Sequence, residues 1–435
     1  MDTKQKYKNF FSILFQWIIF GAIIGVIIGS TTALLLQLND FLGETREKNH
    51  SWLVFLLPLG GIVIGYIYTK FGKVYIHNNL HDAAESNNLV IDSVHGNKRM
   101  LKRMGPIVYL ATFITVLFGG STGREGAAVQ MGGSVAETVN QWFRINILDK
   151  KILIMSGISA GFGAAFGTPI AGAFMGVEMA ALGRIKFEGI IPCLVASFTG
   201  HYITTAAWGV QHEEFVIQIV PELSVVAFAK VIFVSILFGL LSVAYAQLRH
   251  GIQNVSEKVF HKNHMKRAFT GGLIIVILTL IVGSQDYNGR GIDMLQQSFH
   301  EDVPPYAFLA KLVFTAVTLG SGFFGGEAIP LFFMGATLGN TLHDFMNLPM
   351  SFIAALGLIA TFSGGANTPI VAFLLALEMF HGKGVEFFFV ACFVSYIVSG
   401  HHSLWPSQEI HEPKSKLFNI VSGETIEQVE KKKKH

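Results

Sequence analysis

Long apolar runs fill this chain, and glycine, proline or charged residues cut them at intervals. The runs lie near residues 10–37, 53–69, 106–119, 152–182, 189–208, 224–247, 269–284, 306–322, 328–343, 351–380 and 386–399. A helix needs about 20 apolar residues to cross a bilayer, and several of these runs are shorter. Gly157, Gly161, Gly163, Gly167 and Pro169 break one of them, and Gly357, Gly364, Gly365 and Pro369 break another. The pattern predicts an all-α protein in which some helices are interrupted inside the membrane. Irregular backbone survives at membrane depth only where protein buries it or where it lines a cavity. Short, interrupted segments in matching places of two halves therefore point to a site near the bilayer midplane.

The halves do match. Thr168-Pro169-Ile170 recurs 200 residues later as Thr368-Pro369-Ile370, and Glu178-Met179 as Glu378-Met379. At the same offset Gly157 meets Gly357, Ala160 meets Ala360, Phe162 meets Phe362, and Gly200-His201 meets Gly400-His401. Met131-Gly132 pairs with Met334-Gly335 after a small shift. One register holding so many pairs marks a tandem duplication. The expected organisation is a tail (1–9), a first membrane repeat (10–208), a second (209–405) and a C-terminal tail (406–435). Two inverted halves are expected, although inversion itself leaves no trace in sequence.

Composition agrees with a polytopic membrane protein. The chain is 51% hydrophobic and 14% charged, against about 25% charged in soluble domains. Lys4, Lys6 and Lys8 precede an apolar run too long for a signal peptide and without a clean cleavage site. Basic residues gather in Asn97 to Arg103, Lys150-Lys151 and Arg249 to Arg267. These segments and both termini are expected on the cytoplasmic side, and the polar segment Gln285 to Pro305 outside. With its basic residues in such loops, a net charge of +3 carries no nucleic-acid footprint. Cys193 and Cys392 lie in apolar runs and read as small core residues. Neither a metal site nor a cofactor is expected.

The candidate chemistry sits in Phe118-Gly119-Gly120-Ser121-Thr122-Gly123-Arg124-Glu125-Gly126-Ala127. A carboxylate inside a span costs roughly 2.5–3.5 kcal/mol on insertion and marks a transport pathway. Glycine N–H groups at a helix start form an anion pocket. Glu125 beside such a pocket can occupy it, compete with a dissolved anion, and take up a proton on leaving. The plainer role is a helix cap, with Arg124 as its charge partner. Glu327 stands in the matching Gly325-Gly326-Glu327-Ala328-Ile329-Pro330, where the proline again starts a helix. Ser86-Asn87-Asn88 offers donors to a small hard anion, or simply makes a turn. Glu178 and Glu378, preserved by the repeat, read as closing helix ends against the other half. Gly119 to Gly123 also spells G-x-S-x-G, which with His201 or His401 suggests an intramembrane serine hydrolase; that motif needs a preceding strand, and none is predicted.

At these residues the chain resembles the CLC family of anion channels and transporters. Gly123-Arg124-Glu125-Gly126 matches the family's GREGP motif, with Ala127 in place of proline. The resemblance covers nearly the whole membrane domain. It implies a CLC-type fold of two inverted repeats with broken, tilted helices, a homodimer with one pore per subunit, and Glu125 as the gating glutamate. Where the family usually has GSGIP and GGIFAP-like loops, this chain has Ser86-Asn87-Asn88-Leu89 and Gly325-Gly326-Glu327-Ala328-Ile329-Pro330. Both departures resemble the fluoride-exporting branch. The resemblance then implies fluoride exported against protons across the lipid bilayer, with Glu125 and Glu327 handling protons. It makes Ser86, Asn87, Asn88, Gly123, Arg124, Gly126, Gly325, Gly326, Ile329 and Trp405 the anion-binding set. Met179 stands where proton-coupled chloride members carry an inner glutamate. Ile329 and Trp405 stand where the fluoride branch has Thr and Tyr. A chloride-selective exchanger or a passive chloride channel is the alternative on the same fold.

Overall fold

The breaks in the apolar runs become breaks between helices. The computed structural model describes residues 3–49, 51–76, 79–82, 88–96, 100–144, 147–261, 263–415 and 421–432. The first half contains α1 (Thr3–Asn49), α2 (Leu57–Phe71), a hairpin of β1 (Lys73–Ile76) and β2 (Asn79–Asp82), and α3 (Asn88–His95). It continues with α4 (Met104–Leu117), α5 (Glu125–Phe143), α6 (Ile147–Phe166), α7 (Pro169–Glu178), β3 (Ala181–Leu182) and α8 (Ile190–Tyr202). The second half contains α9 (Val225–Val259), α10 (His264–Val282), α11 (Ile292–Gln297), α12 (Ala307–Gly320) and α13 (Ala328–Met346). It ends with α14 (Met350–Ala366), α15 (Pro369–Met379) and α16 (Val385–Val398), followed by β4 (Glu409–Ile410), β5 (Glu424–Thr425) and α17 (Ile426–Lys432). Among the described residues, five helical segments are long and apolar enough to cross a membrane.

The inversion is visible at α7 and α15, the helices of the repeated Thr-Pro-Ile. Both start on a proline, whose missing N–H is no loss at that position. Neither Thr168 nor Thr368 caps its own helix. The other half supplies the caps. Glu378 accepts from the N–H groups of Ile170 (2.9 Å) and Ala171 (2.8 Å). Glu178 accepts from those of Ile370 (3.1 Å) and Val371 (2.8 Å). The C-terminal end of each helix thus meets the N-terminus of the other. Repeat-equivalent helices run antiparallel, as a two-fold axis in the membrane plane requires. Glu178→Ala and Glu378→Ala are each expected to destabilise the protein by about 1.5–3 kcal/mol, the range for hydrogen bonds to a charged group. Thermal unfolding in detergent checks this; a melting temperature unchanged in both variants would leave the caps without energetic weight.

Glycines let equivalent helices touch backbone to backbone. A Cβ on Gly132 of α5 would collide with the Gly157 carbonyl of α6, and one on Gly335 of α13 with the Gly357 carbonyl of α14. Every residue of α14 from Ser351 to Ala366 is buried, so this helix runs through the protein's core. The rings of Phe162 and Phe362, equivalent in the repeat, lie 6.3 Å apart across the junction of the halves.

Two segments differ from the sequence expectation. The stretch Arg249 to Arg267 is not one basic loop, because α9 runs on to Val259 and α10 begins at His264. Arginine is a good helix former, and both guanidiniums find partners inside the fold: Arg249 pairs with Glu327, and Arg267 with Glu257 at 3.4 Å. Charge density alone does not separate a loop from a helix whose charges are paired. Helix α1 also continues past residue 37 to Asn49, which carries Asp40 into the interior region described below.

The C-terminal tail docks rather than trailing. β4 pairs with β3 in parallel and with β5 antiparallel. The Lys414 amine donates to the Tyr396 carbonyl (2.6 Å) and the Ser399 hydroxyl (2.9 Å), satisfying polar groups at the C-terminal end of α16.

Candidate anion pathway

Two glycine loops, one from each half, meet at a single point. The loop before α5 and the loop before α13 form an antiparallel bridge between Gly123 and Gly326. Gly123 N–H donates to the Gly326 carbonyl at 2.8 Å, and Gly326 N–H to the Gly123 carbonyl at 2.7 Å. Thr122 adds its hydroxyl to the Gly326 carbonyl at 3.0 Å. The approach needs glycine on both sides: a Cβ on Gly325 would strike the Thr122 hydroxyl, and one on Gly126 would lie 3.0 Å from the Gly326 Cα. Two helix N-termini therefore start within one crossing, each bringing a positive dipole end.

Glu125 is the first residue of α5 and is buried. Its carboxylate folds back and accepts the Arg124 N–H at 3.0 Å. A Cβ on Gly123 would collide with Glu125 Oε2, and one on Gly326 would come within 3.1 Å of it, so the carboxylate fills the space at the crossing. Ile329 is buried against the same loop, its Cβ 3.3 Å from where a Gly123 Cβ would stand.

Arg124 belongs to a ring of four charges above this point. It bonds Asp40 of α1 at 2.5 Å and Glu213 at 3.1 Å. Arg290 bonds the same two carboxylates at 2.6 Å and 2.5 Å. Burial pushes the Glu213 carboxyl up, but the Arg124 and Arg290 guanidiniums outweigh it and hold that carboxyl below its ordinary range. The segment carrying Arg290 also lies on the first loop: Thr122 N–H donates to the Gly289 carbonyl at 3.1 Å, and Asn288 donates to the Gly119 carbonyl at 2.9 Å. The buried Lys311 ammonium donates to the same Gly289 carbonyl at 2.9 Å.

Glu327 stands immediately before α13, but its carboxylate turns away from Glu125 toward α9. It is 3.1 Å from the Arg249 guanidinium and 3.5 Å from the Tyr245 hydroxyl. All three residues are buried. The two glutamates are thus neighbours through their backbones while their carboxylates answer to different elements.

Asn88 is tied to the segment that follows Trp405. Asn88 accepts the Ser407 N–H at 3.1 Å, two residues past Trp405. Trp405 is buried, its indole Nε1 has no hydrogen-bond partner among the described residues, and its own N–H donates to the Ser403 hydroxyl at 3.0 Å. A Cβ on Gly365 would lie 3.3 Å from Leu331, two residues past Ile329, and 3.6 Å from Leu404, the neighbour of Trp405. Ser86 and Asn87 lie outside the described residues. Ser121 follows a helix, not a strand, and its hydroxyl is bonded to that of Thr315 at 2.9 Å, so the hydrolase geometry is not formed.

Residues 61–400 match the voltage gated chloride channel family. A "Chloride/fluoride channel protein" of Pseudomonas syringae pv. tomato is 37% identical over 92% of this chain and 87% of its own length. The chain belongs to the voltage gated chloride channel family. An "H(+)/Cl(-) exchange transporter ClcA" of Vibrio parahaemolyticus is 27% identical over 87% of the chain and 85% of its own length. Among solved structures, a CLC-type fluoride/proton antiporter superposes with a TM-score of 0.86 at 30% identity, covering 91% of this chain and 98% of that one. A slow cyanobacterial Cl-/H+ antiporter superposes at 0.73 and 20% identity, over 88% and 94%, and shares the fold. The protein is a multi-pass CLC-fold transporter of a small monovalent anion, not an enzyme.

Within this CLC architecture the sequence reading missed several side chains: Asp40, Glu213 and Arg290 of the ring, and Arg249 and Tyr245 beside Glu327. Their partners lie far off in sequence, so pairing left no local pattern. One signal was available. Arg249 falls at the end of an apolar run, and a charge there is placed by a buried partner as readily as by a loop.

Proposed function

We propose that the protein exports fluoride in exchange for protons, with Glu125 as the gate. The observation that carries this reading is the seat of the Glu125 carboxylate, at the crossing of two half-helix N-termini. An anion is stabilised where N–H groups and positive dipole ends converge, and a carboxylate is such an anion on a tether. Glu125 leaves when protonated and the N–H groups then receive a dissolved anion; its return expels the anion. Binding stays weak enough for release because the tethered competitor is always present.

Fluoride is favoured by the Asn-rich first loop, by Glu327 in the second, and by the likeness to a chain described as a CLC-type fluoride/proton antiporter. The free indole N–H of Trp405 supplies one donor to a small anion. The apolar Ile329 supports the alternative, a chloride-selective exchanger or a passive channel, because it offers no hydrogen bond to fluoride. Efflux from liposomes decides between them. Fluoride release accompanied by proton uptake is expected; chloride outrunning fluoride, or anion flux without protons, would turn the assignment to the alternative.

Trp405→Ala is expected to weaken coupling by opening a gap of aromatic size. The check is the ratio of proton to fluoride flux per folded protein. A ratio equal to that of the unaltered protein, with only stability reduced, would make Trp405 a packing residue.

Both termini are assigned to the cytoplasm. The positive-inside rule supports this through Lys150 and Lys151, and the contacts of the tail lie at that end: Lys151 donates to the His95 carbonyl at 3.0 Å, and His95 pairs with Glu409 at 3.0 Å. A homodimer is part of this proposal on the resemblance to the CLC family.

A further inference from the structure

We propose that the ring of Asp40, Arg124, Glu213 and Arg290 is the outer gate of the anion pathway, opened when a passing anion takes a guanidinium from its carboxylates. The inference rests on the passage of an anion past Glu125, as proposed above, and not on which halide passes.

The ring stands between Glu125 and solvent. Side-chain exposure rises in steps from 2% at Arg124 through 18% at Arg290 and 23% at Glu213 to 38% at Asp40. On the inner side, the Arg124 guanidinium is 3.9 Å from the Glu125 carboxylate, and Arg290 and Glu213 lie within electrostatic reach of it. On the outer side, a cavity of about 160 Å³ opens beside Glu213, its lining shared by His212, Glu214, His381 and Lys383. A water molecule takes about 30 Å³, so several fit. Between Phe11 and Asp40 helix α1 covers about 44 Å at 1.5 Å per residue, longer than the hydrocarbon core of about 30 Å. Asp40 therefore lies at the membrane face away from the N-terminus, and Arg290 belongs to the polar segment expected on that face.

Each guanidinium bonds both carboxylates, so the ring is closed and its four charges sum to zero. Two arginines alone would hold an anion too well, and two carboxylates alone would turn it back; a pathway needs binding weak enough for release. An anion leaving Glu125 meets Arg124 and then Arg290. At each it replaces a carboxylate, which keeps its bond to the other guanidinium, so one ion pair forms as one breaks and no buried charge is stranded. The arginines are the fixed members. Arg124 also donates to the Leu36 carbonyl at 3.1 Å, and the Arg290 segment is bound to the first loop through Thr122 and Gly289. The carboxylates are the more exposed members, with water beside them to receive them. The buried Lys311 at the Gly289 carbonyl adds a positive charge that the variants below leave in place.

The test measures fluoride flux in liposomes against fluoride concentration for the unaltered protein, Asp40→Asn, Arg290→Gln and the double variant. Asp40→Asn leaves the ring one charge positive, and the half-saturating concentration is expected to fall about threefold, the effect of a unit charge several ångströms away in water-like surroundings. Arg290→Gln leaves it one charge negative, and the same quantity is expected to rise about threefold. Both shifts are expected to shrink as ionic strength is raised with gluconate. The double variant is neutral again and is expected to return close to the unaltered protein. A structural clamp gives another pattern: slower flux in every variant, slowest in the double, without opposed shifts. Shifts of one sign, no shifts, or shifts indifferent to ionic strength would overturn the proposal. Glu213→Gln carries the same charge change and the same expected sign, and replaces Asp40→Asn if that variant does not fold. A protein that moves chloride and not fluoride would sink the fluoride reading alone, and the same shifts measured with chloride would then decide the ring.

Discussion

Glu125→Gln is expected to abolish proton movement driven by a fluoride gradient while leaving the protein folded. Glutamine keeps the shape and retains an oxygen to accept the Arg124 N–H, the bond that seats the native carboxylate at 3.0 Å. The four-charge ring is undisturbed, because Arg124 keeps Asp40 and Glu213. What is lost is the capacity to bind and release a proton at the crossing of the two loops. Removing a proton-transfer group lowers a coupled rate by roughly 10²-fold or more. Liposome assays that record fluoride and pH together check this. Proton uptake at the rate of the unaltered protein would take Glu125 out of the coupling step.

The same geometry shows what was legible in the sequence and what was not. Helices, their interruptions and the duplication were readable because each is local or periodic: glycine and proline at 157–169 and 357–369, and a single offset for Thr-Pro-Ile and Glu-Met. The carboxylates at the two glycine loops were readable because charge inside an apolar chain has few innocent explanations. The antiparallel setting of α7 against α15 was legible only in part: the repeat marked Glu178 and Glu378 as closing helix ends against the other half, but not that their acceptors meet the N–H groups of Ile370 and Ala171. The pairing of Arg249 with Glu327 was not legible. A helix-compatible arginine at the end of an apolar run looks like the start of a basic loop until its partner is known. The ring of Asp40, Arg124, Glu213 and Arg290 was hidden for the same reason. Its members come from α1, the loop before α5 and two connecting segments, and only the fold brings them together.

Glu327→Gln is expected to lower coupled transport as severely as Glu125→Gln, with a stability cost that Glu125→Gln does not have. Glu327 is paired with Arg249 at 3.1 Å in a buried setting. Breaking a buried pair by removing one partner costs about 3–5 kcal/mol, because the surviving charge is left without compensation. Glutamine still offers Arg249 one oxygen, so the loss is expected near or below the lower end. Arg249→Met combined with Glu327→Gln removes both charges and is expected to recover stability without recovering proton movement. That separates the two roles: a structural pair is repaired by the double change, a proton site is not. If Glu125 and Glu327 lie on one proton path, the variant carrying glutamine at both positions is little worse than the more damaging single one, since residues acting in one chain are not additive. Full additivity in liposome flux would place them on separate paths, and a fully coupled Glu327→Gln protein would remove Glu327 from the mechanism and leave the Arg249 pair as architecture.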